Sequence, residues 1–307
     1  MTPEQQLTPS STSTYVTRFA PSPTGRLHRG HAFSALCAHT AAREAGGRFL
    51  LRVEDIDLTR CRPEFEAGLL DELAWLGISW EQPVRRQSEH FADYHAALSR
   101  LADAGLVYRC FRTRREALED MARAPHGPGE EAAGRAFRGG PLAAAEEARR
   151  LAADEPYAWR LSLDEAARQL GSEWGGLTFT EHGAGPDGET GEIAIRPDGA
   201  GDIVLGRKDV GVAYHLAVVV DDALQGVTEV VRGCDLHPAA HVQVLLQALL
   251  DLPTPDYRHH RLLGGPDGRR LAKRDRAETL QALRQSGVTA EALKAELGFG
   301  HEKSPGA

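Results

Sequence analysis

The 307-residue chain is short of several things, and each shortage excludes something. It has no long apolar run. The longest uninterrupted one is LAVVV at 216–220, far below the ~20 residues that a membrane-spanning helix needs. It is poor in cysteine: Cys37, Cys61, Cys110 and Cys234 form no C-x-C or C-x-x-C pair, so they read as reduced, buried small residues. Positive charge is in deficit, with 36 Lys+Arg against 44 Asp+Glu and a net charge of −8. That balance disfavours a wholly basic nucleic-acid-binding domain and leaves room only for local basic patches. Residues 1–14, MTPEQQLTPSSTST, lack the basic start and apolar stretch of a signal peptide. They read as a mobile tail, and the protein as cytoplasmic. No internal repeat is visible.

What is present is an ordinary globular composition, 41% hydrophobic and 26% charged, in a chain long enough for two domains or for one with a large insertion. A strand is predicted at 16–20, followed at once by a loop of proline and glycine. A helix is predicted at 29–46, with apolar residues at Ala32, Phe33, Leu36 and Ala41 and a stop at Gly46-Gly47. RFLLRVEDID then alternates as a strand over 48–57. Strand, loop, helix, strand is the opening of an α/β fold with a parallel sheet, in which ligands bind at the C-terminal ends of the strands. Further helices are expected at 63–76, 91–104 and 238–250, and two short ones within 279–297.

The character changes between Cys110 and Gly201, with Gly-Pro breaks and the turn-rich EHGAGPDGETGE. We read 1–14 as a tail, 15–110 and 201–262 as two halves of one sheet domain, 111–200 as a subdomain inserted between them, and 263–307 as a loop with closing helices. The β-branched run around Val218 suggests a strand buried on both faces.

Two stretches carry chemistry. The first is RFAPSPTGRLHRGH, 18–31. Small residues let backbone approach a ligand, prolines stiffen the loop, and the following helix turns its positive end toward whatever binds there. His28 and His31, three apart around Gly30, reach one side and suit a polyphosphate; surface or capping histidines are the plainer reading. The second is GGPDGRRLAKRDRA, 264–277, where a turn leads into Arg269, Arg270, Lys273, Arg274 and Arg276. It is either a solvated basic loop or a mobile loop that brings Lys273 onto a triphosphate.

In this order the two stretches resemble the signatures of class I aminoacyl-tRNA synthetases. HRGH looks like the HIGH motif, and RLAKR like a divergent KMSKS motif with Lys273 at its second lysine. RFAPSPTGRLHRGH, LLRVEDID and YHLAVVVDDALQGVTEVVRGCDL (214–236) together resemble the glutamyl branch. The resemblance implies a class I synthetase Rossmann-like parallel sheet with helices on both faces. The chain stops about thirty residues after the second motif. In that it is similar to the glutamyl-Q tRNA(Asp) synthetase family, which adds glutamate to queuosine in the anticodon of tRNA(Asp).

That resemblance implies ATP, with Mg²⁺ on its phosphates, and L-glutamate as substrates, and tRNA(Asp) carrying queuosine as acceptor. It implies His28, Gly30, His31 and Lys273 for ATP, and Arg18, Ser22, Glu54, Tyr214 and Arg232 for glutamate. An arginine can fork onto a carboxylate, a glutamate can hold an ammonium, and a tyrosine offers a hydroxyl at little entropic cost. A monomer is expected, with arginines such as Arg112, Arg114 and Arg115 as local tRNA contacts. A small-molecule adenylyltransferase and a catalytically silent tRNA-binding relative are the competing readings.

Departures from the family pattern are Ala272, Arg274 and His215. Relatives often bind zinc in the inserted region, but here YRCFRTR keeps only Cys110, with Arg112 at its partner position and Phe137 near the later one. One thiolate cannot build a four-ligand site, with His126 an outside candidate, so no zinc is expected. His237 and His241, spaced i, i+4, are expected to cap or to make ATP-side contacts. His259 reads as a turn residue or a neighbour of the nucleotide. Asp221-Asp222 read as a solvated turn or as water or ribose ligands.

Overall fold

The computed structural model describes residues 14–112, 137–207, 211–263 and 278–299. Its elements are β1 (Val16–Phe19), α1 (Arg29–Glu44), β2 (Arg48–Val53), α2 (Pro63–Trp75), β3 (Glu81–Arg86), α3 (Phe91–Asp103) and β4 (Val107–Cys110). There follow α4 (Ala144–Ala152), β5 (Ala158–Leu161), α5 (Leu163–Leu170), β6 (Thr178–Glu181), β7 (Gly191–Ala194), β8 (Ile203–Arg207) and β9 (Gly211–Val212). The chain continues through α6 (Tyr214–Leu224), β10 (Glu229–Gly233), α7 (His237–Leu249), β11 (Asp256–His260), α8 (Leu280–Gln285) and α9 (Ala290–Glu296).

The expected parallel sheet is there. β1 pairs with β2 and β2 with β3, all parallel, and β10 pairs in parallel with β11. The two groups meet at the start of β1 and β10, where the Thr228 N–H donates to the Val16 carbonyl at 2.9 Å. The order is therefore β3, β2, β1, β10, β11, with the β6–β7 hairpin beyond β11. Chain order reverses between β1 and β10, so a crevice opens at their C-terminal ends, the switch point of an open α/β sheet.

Both faces are covered because side chains alternate along each strand. Leu50 and Leu51 are neighbours on β2 yet lie in different cores: Leu51 with Phe33, Leu36 and Leu73, Leu50 with Val230, Val244 and Tyr257. Each such leucine, fully buried, contributes on the order of 1.5–3 kcal/mol. A third core joins α3, α6 and α7 to a second sheet, β4–β5–β8–β9, which is antiparallel. That sheet runs from Val107 to Val212, across both limits expected for the inserted region.

One expectation fails. The run around Val218 is not a strand; it is the middle of α6, with residues 216–222 all buried. A short apolar run does not distinguish a buried strand from a helix that is enclosed all round. The helix wins because α3 and α7 both pack against it and enclose its apolar residues in one core. No helix among the described residues is long and apolar enough to cross a membrane.

Candidate active site

The loop leaving β1 shapes the N-terminus of α1. His28 is the N-cap: its Nδ1 accepts from the Gly30 N–H at 3.1 Å, while His31 Nδ1 accepts from the His28 N–H at 3.3 Å. Two orphan N–H groups are satisfied by imidazoles in place of the more frequent hydroxyl and carboxylate. The rings stack with centroids 3.8 Å apart. Because each Nδ1 accepts, each neutral ring carries its proton on Nε2. A Cβ at Gly30 would stand 3.0 Å from His28 Cε1, so any larger residue would have to push the ring aside from the helix start. No acidic residue occupies the first turn, which leaves the helix's positive end uncompensated.

A cavity of about 510 Å³ fills the crevice between β1 and β10. Arg18, Ser22, His28, Gly30, His31, Glu54, Tyr214 and Arg232 all line it. Every described residue expected to hold ATP or glutamate thus lines one space. A second cavity of about 310 Å³ adjoins it, sharing Ser22, Glu54 and Tyr214, and is lined further by Thr24, Asp57, Arg60, Gln87 and Arg207.

The floor of the first cavity is a buried charge network. Arg18 donates to Asp222 through Nε at 2.9 Å and Nη2 at 3.3 Å. Arg52, fully buried, donates to Asp222 at 2.7 Å, Gln225 at 3.0 Å and Glu54 at 3.2 Å. Asp221, one residue back, takes Arg85, Gln87 and Tyr94. Burial opposes the charge on Asp222, but Arg18 and Arg52 outweigh it and hold its carboxyl below the ordinary range. For Glu54 burial prevails over Arg52 and Arg18, and its carboxyl is raised. Burial likewise raises the Tyr214 phenol, so it stays protonated and able to donate.

The opposite wall is Arg232. Its Nε donates to His259 Nε2 at 3.0 Å and its Nη1 to Gln243 at 2.7 Å; Nη2 is buried without a hydrogen-bond partner. His259 in turn bonds Glu181 through Nδ1 at 2.5 Å. Glu181, His237 and His259 are the one described trio close enough to hold a metal ion. The donor set fits one poorly. Glu181 already accepts three N–H groups, from Gly183, the His259 backbone and the His259 ring, and the Arg232 guanidinium sits against His259.

Lys273 and the rest of 264–277 lie outside the described residues. The flanks of that segment are both at the cavity: Leu263 lines it, and Thr279 bridges to His28, with Arg29 holding Glu278 at 3.1 Å.

The model of the tRNA synthetases class I (E and Q) catalytic domain matches residues 14–299. The chain belongs to this family. A glutamyl-Q tRNA(Asp) synthetase of Rhodobacter capsulatus is 46% identical, over 92% of this chain and 100% of the relative. One of Nocardia farcinica is 42% identical, over 91% of this chain and 82% of the relative. A glutamate–tRNA ligase of Aquifex aeolicus is 35% identical over 90% of this chain, which spans 55% of that protein. Among solved structures, a glutamate tRNA ligase from Elizabethkingia meningosepticum in complex with its amino acid superposes with a TM-score of 0.72 at 25% identity. That match covers 92% of this chain and 60% of the ligase chain.

Against this class I synthetase frame, some sequence readings change. Asp221 and Asp222 are not a solvated turn; helix α6 buries them as acceptors for five basic or polar partners. His259 is in β11, not a turn, and is 2% exposed. His237 opens α7 but is buried, with ring contacts to Phe179, His241 and His259 and no partner at Nε2. Arg52, Glu181 and Gln243 went unnoticed. Arg52 was within reach of pattern reasoning: it stands two before Glu54, hence on the same side of an extended chain. Cys110 is buried at the end of β4, and His126, Arg114 and Arg115 lie outside the described residues.

Proposed function

We propose that this chain activates L-glutamate with ATP, without needing tRNA, and transfers the glutamyl group to the queuosine base at the wobble position of tRNA(Asp). The observation that carries the reading is the single cavity that holds both residue sets, His28, Gly30 and His31 beside Arg18, Ser22, Glu54, Tyr214 and Arg232. The short relatives named glutamyl-Q tRNA(Asp) synthetase support the acceptor.

In this reading the positive end of α1 and the Nε2–H groups of His28 and His31 receive the ATP phosphates. Lys273 adds its charge there, and Mg²⁺ arrives on the phosphates. Arg232 and Arg18 take the side-chain carboxylate of glutamate, while Glu54, with Tyr214, takes the ammonium. The α-carboxylate then attacks the α-phosphorus of ATP in line; a P–O bond forms and pyrophosphate leaves. Positioning and charge stabilisation do the chemistry, and no protein nucleophile is required. A hydroxyl of queuosine next attacks the acyl carbon, an ester forms, and AMP leaves. The adjoining cavity, with Asp57, Arg60 and Arg207, suits this acceptor because it shares Glu54 and Tyr214 with the first and is lined by neither signature histidine.

Pyrophosphate exchange with a panel of amino acids and no tRNA tests activation. Exchange with glutamate is the expected result. No exchange with glutamate removes both the adenylation and the pocket assignments.

A further inference from the structure

Glutamate recognition needs a cation held still, and the structure holds Arg232 with side chains that no signature motif contains. Arg232 and His259 are cross-strand neighbours in β10 and β11, and Tyr257 of β11 is paired with Glu181 of β6. Across these strands runs a chain of three side chains: Glu181, His259, Arg232. All are buried, at 1%, 2% and 5% exposure.

The proton positions follow from chemistry. An arginine Nε can only donate, so the His259 Nε2 it meets must accept. A neutral imidazole that accepts at Nε2 carries its proton at Nδ1, and Nδ1 faces the Glu181 carboxylate. Burial and the Arg232 charge both favour the neutral ring, and its pKa is lowered despite the carboxylate beside it. Glu181 is itself fixed, since its other oxygen accepts from the backbone of Gly183 at 2.7 Å and of His259 at 2.9 Å. Gly183 is required for this: a Cβ there would fall on the His259 carbonyl oxygen. With Nε on His259 and Nη1 on Gln243, the guanidinium cannot turn, and Nη2 is the buried donor left over in a residue that lines the cavity.

We propose that Glu181 and His259 are positioning residues for substrate recognition: Glu181 locks His259 as the Nδ1–H tautomer, and His259 locks Arg232 so that Nη2 meets the substrate carboxylate. The proposal rests on the reading that Arg232 binds glutamate. Neither Glu181 nor His259 touches the substrate. They lower the cost of ordering a long cationic side chain at the moment of binding.

The test is steady-state pyrophosphate exchange on the full chain, reading the KM for glutamate and for ATP separately. His259→Leu should raise the glutamate KM by about tenfold and leave the ATP KM within about twofold. His259→Gln, whose amide can accept from Arg232 and donate to Glu181, should stay within about threefold of the parent chain. Glu181→Leu should behave like His259→Leu. A double-mutant cycle separates positioning from general damage. In an Arg232→Ala background, His259→Leu should add no further rise in glutamate KM. Additive losses, or equal losses in the two KM values, overturn the proposal. An unchanged glutamate KM in Arg232→Ala alone instead overturns the reading of Arg232 on which it rests.

Discussion

Arg18 and Asp222 form a buried two-point fork, Nε to Oδ1 at 2.9 Å and Nη2 to Oδ2 at 3.3 Å, joining the first strand to the helix before β10. Asp222 also accepts from Arg52, so one carboxylate holds two cations beneath the cavity. Removing it leaves both without that counter-ion in a region almost closed to water. Asp222→Ala should lower stability by about 3–5 kcal/mol, the cost of breaking a buried ion pair from one side. Denaturant melts check this, and a change below about 1 kcal/mol would mean the network is looser than its geometry.

The two signature histidines should separate capping from chemistry. Asparagine can accept a backbone N–H much as Nδ1 does, but it has no group at the Nε2 position. His31→Asn should therefore leave the melting temperature nearly unchanged while slowing glutamate-dependent exchange by about 100-fold, as for loss of one oxyanion donor. His28→Asn should do the same. A variant with full activity would relegate that ring to a helix cap.

The adjoining cavity gives the acceptor step its own handle. Asp57 lines it, not the first cavity, and is tied to Thr59 and Arg60. Asp57→Asn should cut transfer to queuosine-containing tRNA by about tenfold and leave pyrophosphate exchange within about twofold. Loss of exchange in parallel would remove the assignment of that cavity to the acceptor.

Acid should destabilise the fold through its buried neutral histidines. Burial, helped by Arg232, pushes His215 from 6.5 down to about 4. Between those values the unfolded chain binds the proton and the folded chain does not, so stability is present above 6.5 and is lost as pH falls toward 4. His215→Asn should flatten the slope of stability against pH in that window by up to about 1.4 kcal/mol per pH unit. An unchanged slope would show that His215 is already protonated in the folded state.

Legibility in the sequence tracked distance along the chain. The His28–Gly30–His31 loop could be read because a strand, a tight loop and a helix start are local features. Glu54, Tyr214 and Arg232 came through resemblance. Asp222 was seen but misread, since LAVVVDD fits a buried strand as well as a buried helix until the packing of α3 and α7 is known. Glu181 gave no signal, and His259 read only as a turn residue or a neighbour of the nucleotide. Their partnership is made by β6 pairing with β11, seventy-eight positions apart, and Glu181 sits within 111–200, where no signature motif lies.

The account is tested most directly by offering the chain labelled glutamate, ATP and tRNA(Asp) with and without queuosine. Label should enter only the queuosine-containing tRNA and should survive removal of the 3′-terminal nucleoside. Equal labelling of unmodified tRNA(Asp), lost when that nucleoside is removed, would contradict it.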